Sequence, residues 1–157
     1  MLTPTDYIVR FSTFSFRFNK NDKSKTASQE EILKLESLLK IRIPDDYKIF
    51  LANYGDLWTP SVLDILVDND IDMPDIQQFW SVDEIIDDKL AGYTKQIAED
   101  MVAFASDCMG NFYSFLSKDI KRQQLGAPIY YFDLEFDKMH LFANSFIDLI
   151  ESYNKLP

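Results

Sequence analysis

The stretch that decides the fold is residues 28–55, SQEEILKLESLLKIRIPDDYKIFLANYG. Ser28 and Glu31 have the spacing of a capping box, in which two side chains bind backbone N–H groups at a helix start. Apolar residues then recur every three or four positions, which predicts a helix over about residues 29–40. Pro44 suits the first turn of a second short helix, and Gly55 suits the position after its end. The apolar faces of these two predicted helices consist of Ile32, Leu35, Leu38 and Leu39, and of Tyr47, Phe50, Leu51 and Tyr54.

Phenylalanine dominates the segment upstream of this stretch. Over residues 7–18, aromatic side chains alternate with small or basic ones, which is the period of a half-buried strand. Residues 20–26 are polar and predict a loop. We therefore expect residues 1–27 to form a strand extension and loop, and residues 28–157 to form the domain proper.

The chain after Gly55 contains short apolar runs separated by turn residues. Ser81 and Glu84 repeat the capping-box spacing and predict a helix that ends near Gly92. Asn144 or Ser145 is expected to cap a closing helix. The strand candidates are residues 62–67, 79–80, 101–105, 112–116, 128–133 and 139–142. Together these elements predict a single α+β domain, in which an antiparallel sheet packs with N-terminal, middle and C-terminal helices.

Charge is distributed unevenly along the 157 residues. Twenty-six acidic and sixteen basic residues give a net charge of −10. No lysine or arginine occurs between Lys48 and Lys89, an interval that holds ten acidic residues. This balance argues against a nucleic-acid binder and against attraction to an anionic membrane. Three interpretations of the interval stay open: a solvated surface, a docking surface for a basic partner, or a cation site.

Residues suited to catalysis or metal binding are scarce. His140 and Cys108 are the single histidine and the single cysteine of the chain. Neither has a neighbour in sequence that would complete a metal site or a nucleophile. Residues 68–72 are similar to the first half of a calcium loop, but Met73 stands where the turn glycine is required. We expect no catalytic residue, no metal site and no cofactor.

Residues 43–55, with their Ile-Pro-Asp-Asp-Tyr, Phe-Leu and Tyr-Gly landmarks, resemble the SUKH superfamily. This superfamily, also called Smi/Knr-like, contains fungal regulators of cell-wall and glucan synthesis and many bacterial toxin-immunity proteins. Three later segments match the family pattern in the same order. They are Asp-x-x-Gly-Asn at residues 107–111, Pro-Ile-Tyr-Tyr-x-Asp-x-Glu at 128–135, and Ala-Asn-Ser-Phe at 143–146. The resemblance implies a SUKH-like fold over residues 28–157.

The resemblance also implies a non-catalytic, protein-binding role. We expect an immunity protein of a toxin–antitoxin pair, which neutralises a basic toxin, for example a nuclease, through its acidic surface. The alternative is an intracellular regulatory adaptor of the cell-wall-regulator type. A third hypothesis, an enzyme that uses Asp133 and Glu135 as acid and base, has weaker support because such pairs are common in acidic proteins.

Residues of two kinds are expected to contact the partner. Carboxylates would steer a basic partner, and tryptophans would anchor it. The residues are Asp68, Asp70, Asp72, Asp75, Asp87 and Asp88, with Trp58 and Trp80. A second copy of the chain is a further candidate partner, for which the Phe-rich segment could supply a contact. Because residues 1–20 lack the apolar core of a secretion signal, and no apolar run approaches a membrane span, we expect a cytoplasmic location.

Overall fold

A computed structural model describes residues 1–19, 24–92, 100–120 and 126–157. In these ranges the helices are α1 (Pro4–Phe18), α2 (Gln29–Leu39), α3 (Asp45–Asn53), α4 (Ser61–Asp68), α5 (Val82–Ala91) and α6 (Phe146–Asn154). The strands are β1 (Gln78–Phe79), β2 (Met101–Ser106), β3 (Phe112–Leu116), β4 (Ile129–Asp133) and β5 (Lys138–Ala143). They form one antiparallel sheet in the order β1-β2-β3-β4-β5. The predicted α+β class is confirmed.

The strand predicted over residues 7–18 is wrong, because this segment is helix α1. A capping box between Thr3 and Asp6 starts the helix, and Pro4 occupies its first turn. Phe16, which the strand would place beside its aromatic neighbours, is 90% exposed. The side chains that α1 buries follow helical spacing instead: Tyr7, Phe11, Phe14 and Phe18. In the predicted loop that follows, residues 20–23 lie outside the described residues.

The strand predicted over residues 62–67 is also wrong, because this run lies within helix α4. Val62 and Leu66, four residues apart, are both buried, whereas Val67 is exposed. The apolar run is too short for its period to separate a helix from a strand.

The helix pair that the sequence predicted is confirmed. Ser28 accepts a hydrogen bond from the backbone N–H of Glu31, and the Glu31 side chain accepts one from the N–H of Ser28. Ser81 and Ser145 cap α5 and α6 by accepting from the backbone N–H groups of Glu84 and Asp148. Gly55 ends the second helix region with a φ of +67°, in the left-handed region that glycine adopts readily.

The main core lies between one face of the sheet and helices α1, α3 and α6. Tyr47 of α3 is at its centre, and burial raises the pKa of its hydroxyl. The centroid of its ring lies 4.9 Å from that of Phe146 in α6, 5.1 Å from Phe104 in β2 and 5.2 Å from Phe115 in β3. Because Phe11 of α1 also packs against Phe50 and Phe146, the N-terminal helix shares this core.

The opposite face of the sheet carries a second, smaller apolar cluster. It consists of Met101, Ala103, Phe112, Leu116 and Phe132, with Trp80 and Tyr130 packed against it. The cluster runs from β2 across β3 to β4, so both faces of the central strands are apolar.

Candidate partner-binding surface

The acidic loop, defined here as residues 68–72, follows helix α4. Asp68, Asp70 and Asp72 are all exposed. Within the described part of the chain, no lysine or arginine forms an ion pair with any of the three. Their negative charges face solvent and pair with no cation of the described residues, which favours a negative potential at this part of the surface.

Backbone hydrogen bonds and apolar side chains hold the acidic loop in place. The N–H of Asn69 donates to the carbonyl of Ile65 at 3.1 Å, and the N–H of Ile71 donates to Leu66 at 2.9 Å. Asp70 adopts a φ of +52°, which turns the chain away from the helix axis. Ile71 and Met73 pack against the main core. Ile71 thus points inward, between the exposed carboxylates of Asp70 and Asp72.

Asp75 lies apart from the exposed carboxylates, because its side chain is buried. Its carboxylate accepts hydrogen bonds from the backbone N–H of Cys108 at 3.1 Å and from the Cys108 thiol at 3.4 Å. Burial raises the pKa of Asp75. Burial, and then the bond to Asp75, raise the pKa of the Cys108 thiol to about 11, so the thiol is not a nucleophile at neutral pH. Asp75 therefore attaches the chain just after the acidic loop to the β2–β3 turn.

Two buried tyrosines bind the backbone just after the acidic loop. The Tyr153 hydroxyl of α6 donates to the carbonyl of Pro74 at 2.7 Å, and the Tyr113 hydroxyl of β3 donates to the carbonyl of Asp75 at 3.0 Å. The two hydroxyl oxygens are also 2.7 Å apart, so either hydroxyl can donate to the other in place of its carbonyl. Tyr113 belongs to the sheet and Tyr153 to the last helix. The chain that follows the acidic loop is therefore fixed to two parts of the core.

The β2–β3 turn that receives Asp75 is organised by a second buried carboxylate, Asp107. It accepts from the backbone N–H groups of Met109 and Asn111 at 2.9 and 2.8 Å, and from the Asn111 amide at 3.0 Å. The Tyr131 hydroxyl of β4 donates to it at 2.6 Å. Gly110 completes the turn with a φ of +85°. The Asp-x-x-Gly-Asn landmark is therefore a structural turn.

The two tryptophans have different surroundings. Trp58 is exposed, and its backbone forms an isolated bridge to Gln78 of β1. Trp80 is partly buried: its indole Nε1 donates to the Ser106 hydroxyl at 3.2 Å, and its ring packs edge-on against Phe112. Trp58 is therefore available to a partner, whereas Trp80 stabilises the second cluster.

The carboxylates of α5 form a separate acidic segment. Asp87 is exposed, and Asp88 is partly buried. Both lie one turn after Glu84, so the three share a helix face. Glu84 accepts a hydrogen bond from the Gln78 amide at 3.0 Å, which places this face beside β1 and the Trp58 segment. Glu84 was used in the sequence analysis for the capping box and was left out of the expected partner contacts, although its spacing to Asp87 and Asp88 was visible.

A third buried carboxylate, Asp46, was missed because its second partner is a hundred residues away. It accepts from the backbone N–H of Tyr47 at 2.8 Å and from that of Ile147 at 3.1 Å. Burial raises its pKa to about 6. Asp46 thereby joins the first turns of α3 and α6. The sequence indicated only an acidic residue near a helix start, which is usually exposed.

The other residues considered for chemistry occupy structural or isolated positions. Asp133 accepts from the backbone N–H groups of Glu135 and Phe136, which closes the β4–β5 turn. His140 is exposed on β5. Among the described residues, no group of three or more His, Cys, Asp or Glu side chains is arranged to hold a metal ion. Within the same ranges, no helix is both long and apolar enough to cross a membrane.

The model of the SMI1/KNR4 family (SUKH-1) matches residues 26–152. The chain belongs to the SMI1/KNR4 family. The matched range covers every described element from α2 onward up to Ser152 of α6, and α1 precedes it. No curated protein matches the chain.

The aromatic landmarks that carried the family resemblance lie in the core of this SUKH-1 domain. Tyr47, Phe50 and Phe146 are buried and pack ring against ring. Gly55 lies against the backbone of Lys25, where a Cβ atom would not fit. These residues determine the fold. Residues that recognise a particular partner are expected at exposed positions outside this set.

Proposed function

We propose that this SUKH-1 domain is a cytoplasmic immunity protein, which binds one basic toxin and blocks it without catalysis. The observation that carries the proposal is the acidic loop, where Asp68, Asp70 and Asp72 are exposed and unpaired with described cations. The family contributes the general class, a protein-binding domain.

The fixed position of the loop supports a binding role over simple solvation. Surface carboxylates that serve solubility need no particular geometry. Here Tyr153 and Tyr113 bind the carbonyls of Pro74 and Asp75, and the Asp75 side chain binds Cys108. A loop that is ordered before binding loses less conformational entropy when a partner docks.

Charge complementarity gives the inhibitory mechanism. A toxin that acts on nucleic acid needs a basic groove for the phosphates. The acidic loop would enter that groove in their place, and the exposed Trp58 would contribute an apolar contact at the edge. Long-range attraction would accelerate the encounter, and this acceleration would weaken as salt increases.

The first test is affinity capture followed by a test of neutralisation. Wild type and the triple variant Asp68→Lys/Asp70→Lys/Asp72→Lys would serve as baits in lysate of the source organism. A control triple variant, Glu30→Lys/Glu135→Lys/Asp148→Lys, makes the same total charge change at exposed positions on other elements. Each captured protein is then produced alone to measure its toxicity, and together with each variant to measure rescue.

The proposal predicts one stoichiometric basic protein, which is toxic alone and is neutralised by wild type and by the control. The loop variant should neither capture nor neutralise it. Equal capture and rescue by both triple variants would exclude the acidic loop as the binding site. Several weakly held, non-toxic proteins would contradict the immunity role and favour the regulatory-adaptor alternative.

A further inference from the structure

The β4–β5 hairpin exposes an unusual concentration of apolar side chains. Leu134, Phe136, Met139 and Leu141 are all exposed, with Phe136 at 64% and Leu141 at 59%. In the β4–β5 pair, Met139 lies opposite Phe132 and Leu141 lies opposite Tyr130. Because directly opposite residues point to the same face, Met139 and Leu141 extend the second apolar cluster to the edge of the sheet.

The outer edge of β5 is open as well as apolar. β5 is the last strand in the sheet order, and within the described ranges no strand pairs with its outer side. An open edge presents unpaired backbone N–H and C=O groups to other chains. Natural edges are usually protected by proline, bulges or several charged residues. β5 carries Lys138 and His140, and it has an irregularity at Phe142, which the pairing with β4 skips. Residues 138–141 pair regularly with β4 and contain no proline, so the open part of the edge is this stretch.

We propose that β5 pairs with β5 of a second copy of this chain, antiparallel, across a two-fold axis. The two five-stranded sheets would then form one continuous sheet. This contact lies on the opposite side of the sheet order from β1 and the Trp58 segment. The dimer contact uses residues of β5 and shares none with the acidic loop.

Charge repulsion between two copies of this acidic chain is expected to be weakest at this edge. The chain has a net charge of −10, so most approaches between two copies are repulsive. Residues 138–147 contain no acidic residue, and Lys138 and His140 face solvent there. A basic toxin, in contrast, would be drawn to the acidic segments and away from the cation of Lys138.

Symmetry restricts the register, and the proposal places the two-fold axis at His140. Directly opposite residues of antiparallel strands share a face of the sheet. A two-fold axis perpendicular to the sheet must therefore set one residue opposite the same residue of the second copy. An axis at His140 places Met139 opposite Leu141 of the second copy, and the same pair occurs twice. An axis at Lys138 would set two cations against each other. The His140 register joins the apolar faces of both copies.

Oligomeric state is the first test, measured by sedimentation velocity at about 0.15 M salt, where charge repulsion is largely screened. Wild type is expected at twice 18.4 kDa. Leu141→Lys should raise the dimer dissociation constant by about tenfold or more. Leu33→Lys is the matched control, because Leu33 of α2 is 56% exposed and lies far from β5 in sequence. The control should remain dimeric.

Disulfide cross-linking tests the register without a disruptive charge. In a Cys108→Ser background, His140→Cys should form a disulfide-linked dimer on mild oxidation, since opposite Cβ atoms lie about 4.5–5.5 Å apart. Addition of Leu141→Lys should abolish this link. A monomeric wild type at about 100 µM would overturn the proposal, because a specific dimer of this kind should form well below that concentration. Efficient cross-linking through Met139→Cys alone would overturn the register.

Discussion

The carboxylate of Asp46, at the start of α3, accepts a hydrogen bond from the backbone N–H of Ile147, at the start of α6, at 3.1 Å. The same carboxylate accepts from the N–H of Tyr47 at 2.8 Å. Free N–H groups at a helix start need acceptors when they are buried. One side chain thus satisfies donors of two helices that are distant in sequence, and it connects the first landmark of the family resemblance to the last.

Replacement of Asp46 by asparagine should change how stability depends on pH. The folded-state pKa of about 6 lies above the ordinary value of 3.8, so folding takes up a proton between these pH values. The stabilisation from this protonation is present below pH 3.8 and is lost as pH rises through 6. Relative to Asp46→Asn, the wild type should therefore gain about 2 kcal/mol in unfolding free energy between pH 7 and pH 4. Urea denaturation at both pH values measures this, and a pH-independent difference would contradict it.

Substitution of Gly55 by alanine should destabilise the domain by about 3 kcal/mol or more, because backbone strain and a clash combine. Its φ is +67°, and an added Cβ would lie 1.8 Å from the carbonyl oxygen of Lys25. Gly110→Ala is the control, since φ there is +85° but no heavy atom lies within 4 Å of the added Cβ. That control should lose about 1 kcal/mol. Equal losses in urea denaturation would exclude the clash with Lys25 as the larger cause.

Tyr153→Phe should loosen the acidic loop while leaving the fold intact. The variant removes the hydroxyl that donates to Pro74 and bonds Tyr113, at a cost of about 1–3 kcal/mol. Amide hydrogen exchange over residues 70–76 should accelerate. Tyr54→Phe is the control, because the Tyr54 hydroxyl bonds Ser12 of α1 instead. If both variants accelerated exchange in residues 70–76 equally, the tyrosine pair would not be what holds the loop.

Sequence reasoning succeeded where a local signal was specific. Serine caps and helical spacing predicted α2, α3, α5 and α6 with close boundaries. It failed at α1 because the Phe-rich segment fits period two over a few residues and helical spacing over fifteen. The Thr3–Asp6 capping box was the available signal for the correct choice. At α4, the run of six residues was too short for its spacing to distinguish a helix from a strand.

The candidate site was predictable in composition but not in geometry. The absence of cations between Lys48 and Lys89 was visible in the sequence and indicated an acidic surface. Burial of Asp75 was not visible, because its partner Cys108 lies 33 residues away. The same holds for Asp46 and Ile147. Long-range pairing decides which carboxylates face solvent, and a single sequence does not reveal that pairing.

The most direct test of the central claim is the association rate of the purified domain with its captured partner. It should be measured by stopped flow at low salt and at about 0.5 M salt, where the Debye length is only a few ångströms. At low salt, the Asp68→Lys/Asp70→Lys/Asp72→Lys variant should associate about tenfold to a hundredfold more slowly than wild type. The Glu30→Lys/Glu135→Lys/Asp148→Lys control should be slowed much less, and the difference should shrink at high salt. Equal rates for the two variants at low salt would contradict the claim that the acidic loop recruits the partner.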